Sequence, residues 1–145
     1  MIDPFMAEAI RQAKKSLSEG GIPIGSVLVK NGKIIATGHN KRVQEKNPIL
    51  HGEMDCLNNA GRVGSYKDCV IYSTLMPCYM CGGTIVQFNI PKVIVGEDKT
   101  FKGSSVFMES HGIDVVNLML PECVEMMEKF IQERPELWWE DIGDL

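Results

Sequence analysis

The stretch Cys69-Val70-Ile71-Tyr72-Ser73-Thr74-Leu75-Met76-Pro77-Cys78-Tyr79-Met80-Cys81 decides the fold. Cys69 to Thr74 reads as a buried strand. Leu75-Met76-Pro77 turns tightly, and a helix follows from Cys78 to about Asn89. Cys78 and Cys81 are three positions apart, so at the start of that helix their sulfurs share one face, one turn apart. The free N–H groups and positive dipole end there favour thiolate over thiol. A second stretch, His51-Gly52-Glu53, lies upstream and opens another helix that ends at Gly61, with Met54, Leu57 and Ala60 inward. One imidazole and two thiolates neutralise a Zn²⁺ ion and occupy three corners of a tetrahedron. Structural zinc sites close the fourth corner with Cys or His, whereas catalytic sites leave it to water. Glu53, two residues beyond the histidine, stands beside the metal rather than on it, where a carboxylate can take a proton from water and return it to substrate. A lone C-x-x-C reads equally well as a structural zinc knot or as packing cysteines; the upstream H-x-E favours the catalytic reading.

Outward from these segments, helix and strand signals alternate. Asp3-Pro4 reads as an N-cap with proline at the first helical position, and Met6, Ala9, Ile10, Ala13 and Leu17 form an inward stripe that stops at Gly20-Gly21. Ile24 to Val29 and Lys33 to Thr37 flank Asn31-Gly32, a strong hairpin signal. Val43 to Leu50 is polar and reads as a loop. Gly82-Gly83 costs the Cys78 helix roughly 1 kcal/mol per glycine against alanine, which points to close approach of another element. Val93-Ile94-Val95 and Ile113 to Val116 read as strands, Ser105 to Ser110 as a short helix. Pro121 to Glu133 reads as an amphipathic helix with Val124, Met127, Phe130 and Ile131 inward, broken by Pro135. This alternation predicts an α/β fold: a three-layer α/β/α sandwich around a mixed, mostly parallel sheet.

The 145 residues fit a single domain, 1–145. A formal net charge of −4 argues against a chain built to grip phosphate backbones, so no nucleic-acid partner is expected. Five cysteines, an odd number whose only tight pair reads as a metal motif, fit a reducing compartment better than a disulfide framework. Met1-Ile2-Asp3-Pro4 has no basic n-region or apolar h-region, and no apolar run approaches membrane-spanning length. The expectation is therefore a cytoplasmic protein without a membrane partner.

The pattern H-x-E…P-C-x-x-C matches the signature of zinc nucleobase deaminases. The similarity extends along the chain through Gly21-Ile22-Pro23-Ile24-Gly25, Gly38-His39-Asn40, Val95-Gly96-Glu97 and the ending Trp138-Trp139-Glu140-Asp141-Ile142-Gly143. On these residues the sequence resembles the fungal-type cytosine deaminases of the cytidine deaminase superfamily. The metal motif is common to the superfamily; the Trp-x-Glu-Asp-Ile-Gly ending is narrower. The resemblance implies a homodimer, one Zn²⁺ per chain held by His51, Cys78 and Cys81, and hydrolytic deamination of free cytosine to uracil and ammonia with Glu53 as proton shuttle. It also implies substrate contacts. Asn40 would hydrogen-bond the pyrimidine amide edge, the Gly52 backbone would donate to the ring carbonyl, and Asp141 would meet the exocyclic amine. Phe101 and Trp138 would cover the base, and Ile24 would form pocket wall. Met76 departs from the fungal pattern, where a small hydroxyl residue is expected, and would reshape the pocket if its side chain faces substrate.

Residues 135–145 are expected to form a tail that closes the pocket. Taken without the resemblance, Trp138 and Trp139 read as packing residues. Cys56, Cys69 and Cys123 read as small buried hydrophobes, His39 as a loop-shaping neighbour of Asn40, His111 as a turn residue, and Lys99 with Lys102 as a solvated loop. The alternatives are a deaminase of another small base or aminated heterocycle (guanine, isocytosine), a tRNA adenosine deaminase, and a non-catalytic zinc-binding module.

Overall fold

A computed structural model describes residues 2–144 of the chain; Met1, and Leu145 at the end of the expected tail, lie outside the described residues. Among the described residues, a five-stranded sheet in the order β2-β1-β3-β4-β5 carries helices on both faces. The first helix, α1 (Pro4–Ser18), starts where the Asp3 carboxylate accepts the Phe5 N–H at 2.8 Å. The hairpin β1 (Gly25–Lys30) and β2 (Lys33–His39) turns through Asn31 and Gly32, both at positive φ. A short helix α2 (Arg42–Glu45) precedes α3 (Gly52–Ala60). Then come β3 (Cys69–Ser73), α4 (Tyr79–Gln87), β4 (Lys92–Val95), α5 (Ser105–Ser110), β5 (Asp114–Asn117), α6 (Pro121–Glu133) and α7 (Pro135–Asp141). β1 pairs antiparallel with β2 and β3, and β3, β4 and β5 pair in parallel. Four strands thus run one way and β1 alone opposes them, the mixed and mostly parallel sheet expected.

Alternation along the strands separates two cores. Leu28, Ile71, Val93 and Val95 face Cys56, Leu57, Ile85 and Met108 of α3, α4 and α5. Val27, Val29 and Tyr72 face Met6, Ala9, Ile10 and Cys123 of α1 and α6. A third cluster of Ile22, Ile24, Leu75, Met127, Phe130 and Trp138 gathers where β1 begins and β3 ends. It is this cluster that roofs the site. Gly82 confirms the close approach inferred from its sequence, because a Cβ there would lie 2.1 Å from Ser104 Oγ; Gly83 has open space.

Several local expectations need correction. Leu17 is 44% exposed, and Ser16 takes the buried place because its hydroxyl donates to Asn40 O at 2.7 Å. The polar stretch 43–50, expected as a loop, is helical through Glu45 as part of α2. His51 and Cys78 are N-caps, one residue ahead of their helices. Met54 and Ala60 of α3 are half-buried, as are Val124 and Ile131 of α6. Pro135 ends α6 by opening α7, since proline is well tolerated at the first helical position. The tail is therefore helical through Asp141, with Trp138 buried and Trp139 46% exposed.

Candidate active site

Two helix N-termini converge on one point. His51 caps α3 and Cys78 caps α4, with Cys81 one turn into α4. His51 Nδ1 lies 3.4 Å from Cys78 Sγ and 3.8 Å from Cys81 Sγ. With bonds of roughly 2.3 Å to sulfur and 2.1 Å to nitrogen, a tetrahedral zinc site has N···S edges of about 3.6 Å. The donor set therefore has the spacing that zinc requires, and these three are the metal-binding cluster found among the described residues. Glu53 follows on the first turn of α3 and is buried.

Protonation fits the same purpose. A hydrogen bond from the Cys81 thiol, opposed by burial and helped by His51, brings the Cys78 thiol down to about 4. Cys81 moves the other way, because the proton shared between the sulfurs and burial both favour its thiol form. The opposite shifts follow from the closeness of the two sulfurs to each other. Burial disfavours a charged His51, but the Asp141 carboxylate and the Cys78 thiolate outweigh it and push the ring up to about 10. Burial, reinforced by the Cys78 thiolate, raises Glu53 to about 7.

A small cavity of about 20 Å³ adjoins these groups, roughly the room of one water. Ile24, Met76, Phe101, Trp138 and Asp141 line it together with His51, Glu53 and Cys78. The rings of Phe101 and Trp138 meet edge-to-face at 5.7 Å and 87°. Asp141 Oδ1 stands 3.2 Å from His51 Nε2 and 3.5 Å from Asn40 Nδ2. Asn40 is fully buried beside the cavity rather than in its wall; its Oδ1 accepts the Arg42 N–H at 2.9 Å, which leaves Nδ2 facing Asp141. Gly52 presses on Ile24, where a Cβ would come to 3.0 Å of Ile24 O. The Met76 side chain both lines the cavity and packs in the core beneath Gly103.

Leu75 and Ile142 also line the cavity, although sequence reasoning did not assign them to it. Each adjoins a residue that was singled out, and that adjacency was the available signal. Glu97 was missed as well. It is fully buried and accepts Thr100 N–H at 3.0 Å and Thr100 Oγ1–H at 2.5 Å, folding the loop that presents Phe101.

A mixed α/β sheet with a His/Cys/Cys donor set at two helix starts, and a buried glutamate beside it, defines a zinc-dependent deaminase. The chain belongs to the family described as the cytidine and deoxycytidylate deaminase zinc-binding region, which matches residues 2–97. It is 49% identical over 139 residues to a cytosine deaminase of Candida albicans, covering 94% of this chain and 93% of that one. It is 35% identical over 144 residues to a tRNA-specific adenosine deaminase of Streptococcus pyogenes, covering 91% of each. A solved structure from work on A-to-I editing by tRNA:A34 deaminases superposes with a TM-score of 0.70 at 26% identity, covering 78% of this chain and 95% of that one.

Proposed function

We propose that this chain hydrolyses free cytosine to uracil and ammonia. The observation that carries the reading is the buried Glu53 carboxyl beside the His51, Cys78 and Cys81 donors, in a small cavity walled by Ile24, Leu75, Met76, Phe101 and Trp138. Identity to the Candida albicans cytosine deaminase over nearly the whole chain supports cytosine over other bases. Zinc held by the three donors supplies a Lewis acid that brings water toward a pKa of about 7. Glu53 takes the proton of the attacking water and passes it to ring N3; it then takes the proton of the new C4 hydroxyl and delivers it to the amine, so that ammonia leaves as the C4 carbonyl forms. Burial holds the Glu53 carboxyl above its ordinary value, the direction suited to a group that both takes and returns a proton near neutrality.

The same reading assigns the substrate contacts. Asn40 meets the amide edge of the pyrimidine through Nδ2, which in this structure makes a long contact of 3.5 Å to Asp141 Oδ1. The Gly52 N–H, one of those left unpaired at the start of a helix, donates to the ring carbonyl. Asp141 receives the exocyclic amine. Ile24 and Met76 wall the base, while Phe101 and Trp138 cover it. Trp138 and Asp141 of α7, with Ile142 after it, form one side of the small cavity, so α7 is the element that would open for a base to enter. The segment 135–145 then acts as a closing tail on the single domain 1–145.

The chain works as a homodimer in the cytoplasm. Tyr79, Val106 and Phe107 on α4 and α5 present exposed apolar surface for a second copy. All five cysteines are free thiols, in keeping with a reducing compartment, and no helix among the described residues is long and apolar enough to cross a membrane. Guanine, isocytosine or a tRNA adenosine is the competing substrate. Ammonia release from zinc-loaded protein decides among cytosine, isocytosine, guanine, adenine and cytidine. Cytosine is the expected substrate, and turnover of cytidine without turnover of the free base overturns the proposal.

A further inference from the structure

Asn40 lies between two residues that are both held by one carboxylate on α3. Asp55 is 2% exposed; its Oδ2 accepts the His39 N–H at 3.0 Å, and its Oδ1 pairs with Lys41 Nζ at 3.0 Å. The chain can come this close because of Gly38, where a Cβ would lie 2.3 Å from Cys56 N and 2.7 Å from Cys56 Cα. The end of β2 therefore rests directly on the α3 backbone, one residue before the bracketed segment.

The other bonds to Asn40 come from elsewhere. Its N–H donates to Ile24 O at 2.9 Å, and its carbonyl accepts from Ser16 Oγ and Gln44 Nε2. Those partners belong to α1, α2 and the start of β1. Asp55 shares α3 with Glu53 and with the His51 cap, so its two contacts refer the Asn40 segment to the helix that carries the proton shuttle. A buried carboxylate is costly without partners, and here each oxygen has one, on opposite sides of Asn40.

We propose that Asp55, with Lys41, is a positioning residue for the reaction: it fixes Asn40 relative to Glu53 and so sets where the base sits against the proton shuttle. The inference rests on the reading that Asn40 contacts substrate. Displacement of a substrate-holding group by an ångström costs up to about a hundredfold in rate.

The test is a pair of variants, Asp55→Asn and Lys41→Met, each made in the wild-type chain and in the Asn40→Ala chain, all zinc-loaded. Asp55→Asn keeps an acceptor for the His39 N–H and loses the ion pair; Lys41→Met loses the ion pair, together with the longer 3.9 Å contact of Lys41 to Glu45, and carries the test if the first variant fails to fold. In the wild-type chain each lowers kcat/KM for cytosine by about tenfold or more, chiefly through KM, with zinc content unchanged. In the Asn40→Ala chain neither changes kcat/KM by more than about twofold, because the group they position is gone. Equal losses in both backgrounds show a merely structural role and overturn the proposal, as does a change below about twofold in the wild-type chain. If Asn40→Ala alone leaves kcat/KM intact, the reading of Asn40 is what fails.

Discussion

Asp141 Oδ1 stands 3.2 Å from His51 Nε2, on the side of the ring opposite the two sulfurs. The last helix of the chain therefore reaches the first ligand of the site. The carboxylate fixes the tautomer that turns Nδ1 toward the metal and makes that nitrogen a better donor. Asp141→Asn keeps the shape and removes the charge. Zinc affinity is expected to fall by roughly 10–100-fold, measured by competition with a chromophoric chelator. Unchanged affinity would confine Asp141 to the substrate side of the site.

Glu53→Gln separates an enzyme from a zinc-stabilised binding module. Glu53 is not one of the three donors, so metal content and the unfolding midpoint should match the parent protein. Turnover should fall by roughly 10²–10⁴-fold, the usual share of a proton-transferring side chain. Single-turnover kinetics with zinc measured on the same sample checks both halves. A variant that keeps its turnover removes Glu53 from the mechanism.

Metal removal has a proton signature. In the metal-free chain Cys78 is a thiolate, the shared proton stays with Cys81, and His51 carries a charge up to about pH 10. Zinc binding at neutral pH is therefore expected to release protons, from Cys81 and from His51. Zinc competes with these protons, so its affinity climbs as pH rises through neutrality and into the alkaline range. Calorimetric titration of chelator-stripped protein, run in buffers of different ionisation enthalpy, counts the protons. Release near zero would contradict a shared proton between the sulfurs.

The two tryptophans of α7 should behave differently. Trp138 is 5% exposed and meets Phe101 over the cavity, whereas Trp139 is 46% exposed. Trp138→Ala should cost up to about 3–5 kcal/mol of tail docking or global stability and raise KM for cytosine. Trp139→Ala should stay within about 0.5 kcal/mol. Urea unfolding and steady-state kinetics measure both effects. Deletion after Pro135 with folding and turnover unchanged would remove the tail from the mechanism.

What the sequence made legible was local. Asp3 capping α1, Asn31-Gly32 closing the hairpin, and Cys78 opening α4 each act within a few residues, and each is found in place. The donor set was legible because its spacing carries chemistry. Contacts across the chain were not. An apolar stripe favours Leu17 over Ser16 until the Ser16 hydroxyl meets Asn40 O, 24 residues away. Asp55 and Glu97 look like ordinary surface acids until their buried partners are known. The contact between Asp141 and His51 joins residues 90 positions apart, too far for any local pattern to register.

Two buried thiols away from the metal tie stability to alkaline pH. Burial pushes Cys123 up to about 12, reinforced by the nearby negative charges of Glu97 and Glu122, and burial likewise pushes Cys56 up to about 12. Below the ordinary thiol value of 9.0 both folded and unfolded chains keep these protons, and the stabilisation is complete. Between there and about 12 the unfolded chain sheds them while the folded chain holds them. Stability must then fall as pH rises, by up to about 1.4 kcal/mol per pH unit for each thiol. Cys123→Ala removes one such group, although it also loses packing against Met6 and Tyr72. The informative quantity is therefore the slope, not the absolute stability. Urea midpoints of the zinc-loaded protein at pH 8, 9 and 10 should decline more gently in the variant. Parallel declines would mean that Cys123 keeps an ordinary thiol pKa in the folded chain.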